Sequence, residues 1–181
     1  MSSLHNITLG SETSPTVIVG LGSNLDTRLG SPEQTIELAI QRLAQLSVSD
    51  LIASSIWQTA PVDCPPESAD FSNAVCIFTS LAELSPEGLL VELKKIEVEF
   101  GRTQNSRANA PRELDLDLIC FGNCTRQTET LVLPHPRAFQ REFVLAPLAE
   151  VAPNLTIPLQ SVTVLELLEL LQNTKNGVSL S

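Results

Sequence analysis

The chain has 181 residues, 43% of them apolar and 18% charged. That length and composition fit one domain with a packed core and exclude a disordered chain. With 11 basic against 21 acidic residues the net charge is −10, the wrong sign for a partner of duplex nucleic acid. Aromatic content is 4% and there is no Tyr, which leaves little for a single-strand stacking platform. No apolar run approaches the ~20 residues that span a bilayer, and no secretory leader pattern is evident. The sequence reads as a cytoplasmic protein with no membrane or nucleic-acid partner. Cys64, Cys76, Cys120 and Cys124 form no C-x-x-C pair. With only two His, this argues against a zinc site of ordinary spacing.

Residues 1–15 are Ser/Thr-rich and aperiodic, and read as a flexible leader. Thr16 to Leu21 is a β-branched run, predicted as a strand. Ser31-Pro32-Glu33 combines an N-cap with proline at the first helical position. The stripe Ile36, Ala39, Ile40, Leu43 and Leu46 then predicts a helix over 32–46. Leu51 to Ala60 reads as a strand, and 62–70, after Pro61 and with Pro65 and Pro66, as a loop. Phe71 to Ser80 is the next strand. Ser85-Pro86-Glu87 repeats the helix-start signature, and Leu89, Leu93 and Ile96 carry that helix to about Phe100, with Gly101 at the C-cap position.

Residues 102–112 form a long polar loop. Glu113 to Phe121 alternates and is predicted as a strand, Gly122-Asn123 as a turn, and 129–133 as a segment pairing back. Phe143 to Ala149 and Val164 to Leu171 read as helices, and 174–181 as a frayed tail. The order β-α-β-β-α-β predicts an α+β, ferredoxin-like sandwich with a C-terminal extension, one domain over 16–173.

The chemistry concentrates late in the chain. Eight of the eleven basic residues, and only six acidic ones, lie between Lys94 and Arg141. A cationic stretch inside an acidic protein points to a local anion site, and a salt-bridged surface fits it as well. In Leu114-Asp115-Leu116-Asp117-Leu118 the leucines alternate with the aspartates, so both carboxylates leave one face of a strand with Cα atoms ~7 Å apart. Such a pair suits Mg²⁺, which completes its shell with waters and phosphates. A D-x-D alone also fits an ordinary acidic strand face, and Arg112 with its cationic loop tips the balance toward a polyphosphate. Leu133-Pro134-His135-Pro136-Arg137 with Arg141 supplies further groups for phosphate oxygens. Gly20-Leu21-Gly22-Ser23-Asn24 matches neither the dinucleotide nor the P-loop glycine pattern.

Taken in order, these stretches resemble one family. They are Gly20-Leu21-Gly22-Ser23-Asn24-Leu25, Ser54-Ser55 followed by Thr59 and Pro61, Phe71 with Asn73-Ala74-Val75, and Ile96-Glu97 with Gly101-Arg102. Then come Pro111-Arg112 leading into Leu114 to Ile119, Leu133 to Arg137, Arg141 with Phe143-Val144-Leu145, and Glu150 with Ala152-Pro153. The sequence, from about Val17 to Pro158, is identified as similar to the 6-hydroxymethyl-7,8-dihydropterin pyrophosphokinases of folate biosynthesis. The resemblance implies transfer of the β,γ-pyrophosphoryl group of ATP to the pterin hydroxymethyl oxygen, with release of AMP.

By the same resemblance Asp115 and Asp117 would ligate two Mg²⁺ ions, and Arg102 and Arg112 would act on the triphosphate as catalytic residues. Glu97, Arg102, Arg112, Leu118, His135 and Arg141 would bind ATP. Thr59, Val62, Phe71, Asn73 and Phe143 would form the pterin pocket, with the two phenylalanines sandwiching the flat ring. The family commonly carries Arg-Trp where this chain has Ala108-Asn109. The expected partners are ATP and the hydroxymethyl pterin, and the expected state is a monomer. The two competing readings are a non-catalytic ferredoxin-like binding module and a metal-dependent phosphohydrolase.

Overall fold

Strand β2 (Ser14–Ser23) runs through the middle of an antiparallel sheet in a computed structural model that describes residues 7–11, 14–61, 69–102 and 112–175. Its neighbours are β5 (Phe71–Thr79) on one side and β6 (Asp115–Phe121) on the other. The far edge of β5 carries two short strands, β3 (Ile52–Ala53) and β4 (Trp57–Thr59). A small hairpin pairs β7 (Arg126–Gln127) with β8 (Val132–Leu133). Helix α1 (Pro32–Ala44) follows β2 and α2 (Pro86–Glu99) follows β5. The strand order and alternating directions are those of the ferredoxin-like fold expected from the sequence.

Both Ser-Pro-Glu signatures act as read. Ser31 caps α1 by accepting the Gln34 N–H, and the Gln34 side chain returns the bond to the Ser31 N–H, a full capping box. Ser85 caps α2 through the Gly88 N–H at 3.0 Å. Gly101 ends α2 with φ +109°, a conformation that side-chain-bearing residues rarely adopt.

The C-terminal extension is a third layer. Helices α1 and α2 cover one sheet face, where Val17, Val19, Ala74, Cys76, Leu116 and Leu118 meet Ile36, Leu43, Leu89 and Leu93. Helices α3 (Glu142–Val151) and α4 (Val164–Lys175) cover the other, where Ile18, Val75, Ile77 and Ile119 meet Val144, Leu145, Leu148 and Val164. The sheet is therefore apolar on both faces, which explains why β5 is a continuous run without alternation. Burial pushes the thiols of Cys76 and Cys120 up to about 12, as expected of inert core cysteines.

The structure refines three boundaries. Of the stretch expected as a leader, β1 (Gly10–Ser11) pairs with the start of β2, the Thr16 N–H donates to the Leu9 carbonyl at 3.0 Å, and Leu9 is buried. The strand expected from Glu113 starts at Asp115, because the Glu113 carbonyl accepts the Ser23 hydroxyl at 2.6 Å.

The single strand expected over Leu51–Ala60 is broken at Ser54–Ile56. Three residues there face two on β5, between the pairs Ala53–Cys76 and Trp57–Asn73, which is a β-bulge. The Ser54 hydroxyl accepts the Val75 N–H at 3.0 Å in place of the ladder carbonyl.

If the third layer belongs to the cooperative core, Leu145→Ala, at a fully buried α3 position, will lower unfolding free energy by about 2–5 kcal/mol. Leu165→Ala, at an exposed position on α4, will stay within about 0.5 kcal/mol. Urea denaturation measures both, and equal effects would detach the layer from the core.

Candidate active site

One cavity opens between the α3 face of the sheet and the start of α3, and nine of the expected site residues line it. The strands set its floor. Across the ladder Gly22 stands between Asp115 and Asn73, and Gly20 is opposite Asp117. A Cβ at Gly22 would come within 3.2 Å of the Asn73 Oδ1, and one at Gly20 within 3.3 Å of the Ile119 side chain. The two glycines thus keep the floor open, the role that the Gly20-Leu21-Gly22 motif left unresolved.

Asp115 and Asp117 project to the same face, both into the cavity, while Leu116 and Leu118 turn into the α1/α2 core. Their surroundings differ. Asp115 is paired with two guanidiniums, its Oδ1 with Arg102 Nη1 at 2.6 Å and its Oδ2 with Arg112 Nη1 at 2.5 Å. Burial pushes its carboxyl up, and Arg112 and Arg102 outweigh that and hold it below the usual carboxylate range. Asp117 is more open, with Arg141 Nη1 at 3.9 Å from its Oδ2.

Behind Arg102 lies Glu97, 1% exposed. Its Oε1 meets Arg102 Nη1 at 2.6 Å and Lys94 Nζ at 2.7 Å, and accepts the Leu116 N–H at 2.8 Å. Burial raises its carboxyl against the pull of Lys94 and Arg102. Glu97 does not line the cavity. It holds an arginine that reaches Asp115, and it pins the strand between the two aspartates.

At the other wall, burial holds the His135 pKa below its usual value; Asp117 pulls it up, and Arg141 and Arg137 push it down. Its Nδ1 accepts the Arg137 N–H at 3.3 Å, so the neutral ring carries its proton on Nε2. The Arg141 guanidinium sits 5.4 Å from the centre of the Phe143 ring, a cation–π pair at the start of α3.

Thr59, Phe71 and Asn73 line the far end of the cavity, where the Asn73 amide N–H donates to the Thr59 hydroxyl at 2.7 Å. Arg112, Asp115, Asp117, His135 and Arg141 line the rest, and Phe143 lines the cavity from the start of α3. Arg102 reaches the group through Asp115. Leu118 is not brought there: strand alternation buries its side chain in the α1/α2 core. Val62, Ala108 and Asn109 lie outside the described residues.

Arg137, read from the sequence with Arg141 as a group for phosphate oxygens, also lines the cavity. Two contributors escaped the sequence reading as site residues. Ser23 and Asn24 anchor the chain that leads into β6. Asn24 Oδ1 accepts the Arg112 N–H at 2.8 Å, the Asn24 N–H donates to the Arg112 carbonyl at 3.1 Å, and the Asn24 amide reaches the Ala69 carbonyl at 3.4 Å. One asparagine thus fixes the position of Arg112, for which only the motif itself gave a hint.

Among the described residues no group of three or more His, Cys, Asp or Glu side chains converges as a complete metal site. Two carboxylates on one face fit instead a hard cation that takes its remaining ligands from water and phosphate.

Comparison with known proteins identifies the family. The profile of the family 7,8-dihydro-6-hydroxymethylpterin-pyrophosphokinase (HPPK) matches residues 18–153. A 2-amino-4-hydroxy-6-hydroxymethyldihydropteridine pyrophosphokinase of Haemophilus influenzae is 40% identical over 144 residues, covering 79% of this chain and 85% of that protein. Its namesake in Bacillus subtilis is 41% identical over 133 residues, covering 74% and 75%. Among solved structures, a Plasmodium falciparum HPPK-DHPS triple mutant with STZ-DHP superposes with a TM-score of 0.69 at 13% identity. That match covers 92% of this chain but only 45% of the other, a likeness of fold. The chain therefore belongs to the 6-hydroxymethyl-7,8-dihydropterin pyrophosphokinase family.

Proposed function

We infer that the chain transfers the β,γ-pyrophosphoryl group of ATP to the hydroxymethyl oxygen of 6-hydroxymethyl-7,8-dihydropterin, giving AMP and the pterin diphosphate for folate biosynthesis. The observation that carries the reading is a single cavity with two chemically distinct ends. One end holds paired carboxylates among arginines, and the other a phenylalanine and a hydrogen-bonding amide.

The polar end suits a triphosphate. Arg112, Arg137 and Arg141 line the cavity, and Arg102 stands behind Asp115. Together they supply the positive charge that phosphoryl transfer needs, since that chemistry relies on positioning and charge neutralisation. Asp115 and Asp117 would hold the two magnesium ions that accompany ATP, which when bound shield phosphate charge and polarise the transferred group.

Arg102 and Arg112 then have two tasks. At rest they neutralise Asp115, and with that carboxylate engaged as a magnesium ligand they would be free to take phosphate oxygens. His135, whose Nδ1 accepts the Arg137 N–H, presents its Nε2–H as a donor to a phosphate oxygen. Glu97 keeps Arg102 oriented and acts as a positioning residue.

The apolar end suits the pterin. Phe71 and Phe143 offer aromatic faces, and Asn73, its amide oriented by Thr59, offers directional bonds to the ring's polar edge. No strong base is required: as the hydroxymethyl oxygen bonds the β-phosphorus and the bond from that phosphorus to the α-phosphate oxygen breaks, releasing AMP, the hydroxyl proton passes to solvent or to a phosphate oxygen.

Incubation with ATP and the hydroxymethyl pterin will yield AMP, and ADP on a chromatogram would overturn the reading. Asp117→Asn will lower kcat by about 10²–10³-fold with little change in melting temperature, because Asp117 has only one distant described cation, Arg141. Asp115→Asn will lower kcat and also stability, because it removes the counter-charge of two guanidiniums. Asn73→Ala will raise KM for the pterin by about tenfold to a hundredfold and leave KM for ATP unchanged. A reversed pattern would exchange the two ends of the cavity.

A further inference from the structure

Two stretches of the sequence remain without a role in the reading above: Ser54-Ser55, and Glu150 of the Glu150 to Pro153 stretch. In the fold they meet. Glu150 stands near the end of α3, and its carboxylate takes three hydrogen bonds from the bulged edge of the sheet. Oε1 accepts the Ser55 N–H at 2.9 Å and the Ser55 hydroxyl at 2.6 Å, and Oε2 accepts the Trp57 indole N–H at 2.9 Å. Burial raises the Glu150 carboxyl, but the Ser55 and Trp57 donors outweigh it and hold the group below its usual value.

The two elements joined here are the two walls of the cavity's apolar end. Helix α3 carries Phe143 in its first turn, about 10 Å of helix away from Glu150. Strand β4 carries Thr59, whose hydroxyl accepts from the Asn73 amide. Within β4, Trp57 is the direct partner of Asn73 and Thr59 of Phe71, so Trp57 and Thr59 share the face that looks toward α3. The bulge at Ser54–Ile56 frees the Ser55 N–H from the ladder and re-aims the three residues that follow. A bulge without a partner would leave that short edge strand free to shift by a residue, because only three ladder pairs hold it.

We propose that Glu150 is a positioning residue for the pterin: by bonding Ser55 and Trp57 it locks the bulged edge strand against α3, and so sets the gap between the Phe143 wall and the Thr59–Asn73 wall. It touches neither substrate, and its reach does not extend to the carboxylate end of the cavity. The inference rests on the assignment of that apolar end to the pterin.

Glu150→Gln is the informative change. A carboxamide still accepts from Ser55 through its oxygen but turns a second donor toward the Trp57 N–H, and two donors cannot bond. Trp57→Phe removes the same bond from the other side. Steady-state kinetics on Glu150→Gln, Trp57→Phe, the double variant and Asn73→Ala test the proposal. Each single change at the latch is expected to raise KM for the pterin by about fivefold to thirtyfold, with kcat and KM for ATP within about twofold of the parent.

The double variant is expected to do no worse than the worse single, since both remove one bond. Should Glu150→Gln fold poorly, Trp57→Phe, which keeps the carboxylate on Ser55, carries the test. Pterin KM unchanged at both latch positions while Asn73→Ala raises it would overturn this inference alone. So would a parallel rise in KM for both substrates, which marks general loosening of the fold. An unchanged pterin KM in Asn73→Ala would overturn the pocket assignment and this inference with it.

Discussion

Strand β6 has to satisfy two opposite environments with one alternating pattern. Leu116 and Leu118 go into the layer under α1 and α2, and Asp115 and Asp117 go to the face beneath α3. A shift by one residue would send two carboxylates into the core and two leucines into the cavity, so the register of β6 against β2 is fixed by burial itself. The rest of the site is arranged around that register. Gly20 and Gly22 leave room over it, Glu97 pins its outer edge at the Leu116 N–H, and Asn24 fixes the residue that enters it.

The third layer turns a common fold into a container. A four-stranded ferredoxin-like sheet with two helices leaves one face open, and here the open face is roofed by α3 and α4. The roof stops short of the Asp115–Gly22–Asn73 row, and the cavity is the part of the sheet left uncovered. Arg141 and Phe143 come from the rim of that roof, so the helix that completes the core also supplies a cation and an aromatic face to the cavity. Stability and site geometry are therefore coupled at α3, where Leu145 and Leu148 are fully buried a few residues from Phe143.

Much of this was legible because the local signals agreed with one another. The Ser-Pro-Glu helix starts, Gly101 after α2, and the Leu-Asp alternation each name a local structure with one physical cause, and each was found. What failed to show were effects of partners distant in sequence. Leu51 to Ala60 has strand composition throughout, and nothing local marks the bulge, which exists because Ser54 and Ser55 find acceptors and donors on β5 and α3. Leu118 is a different case, since the local alternation that puts Asp115 and Asp117 on the cavity face itself turns the Leu118 side chain into the α1/α2 core. The ion pairs of Asp115 could not be foreseen either, since Arg102 lies thirteen residues away and reaches it only because Glu97 steers the guanidinium. Ser23 and Asn24 looked like part of a glycine turn, and their bonds to Arg112 and Glu113 cross about ninety residues of sequence.

The pairing of Asp115 with two guanidiniums bears on how the resting protein treats stray ions. A bare pair of aspartates would soak up divalent cations from solution. Here one of the two already carries its own counter-ions, and a lone metal dication approaching it meets fixed positive charge. The protein at rest is in this sense self-salted at Asp115: the counter-charge of that carboxylate is built into the fold by Arg102 and Arg112.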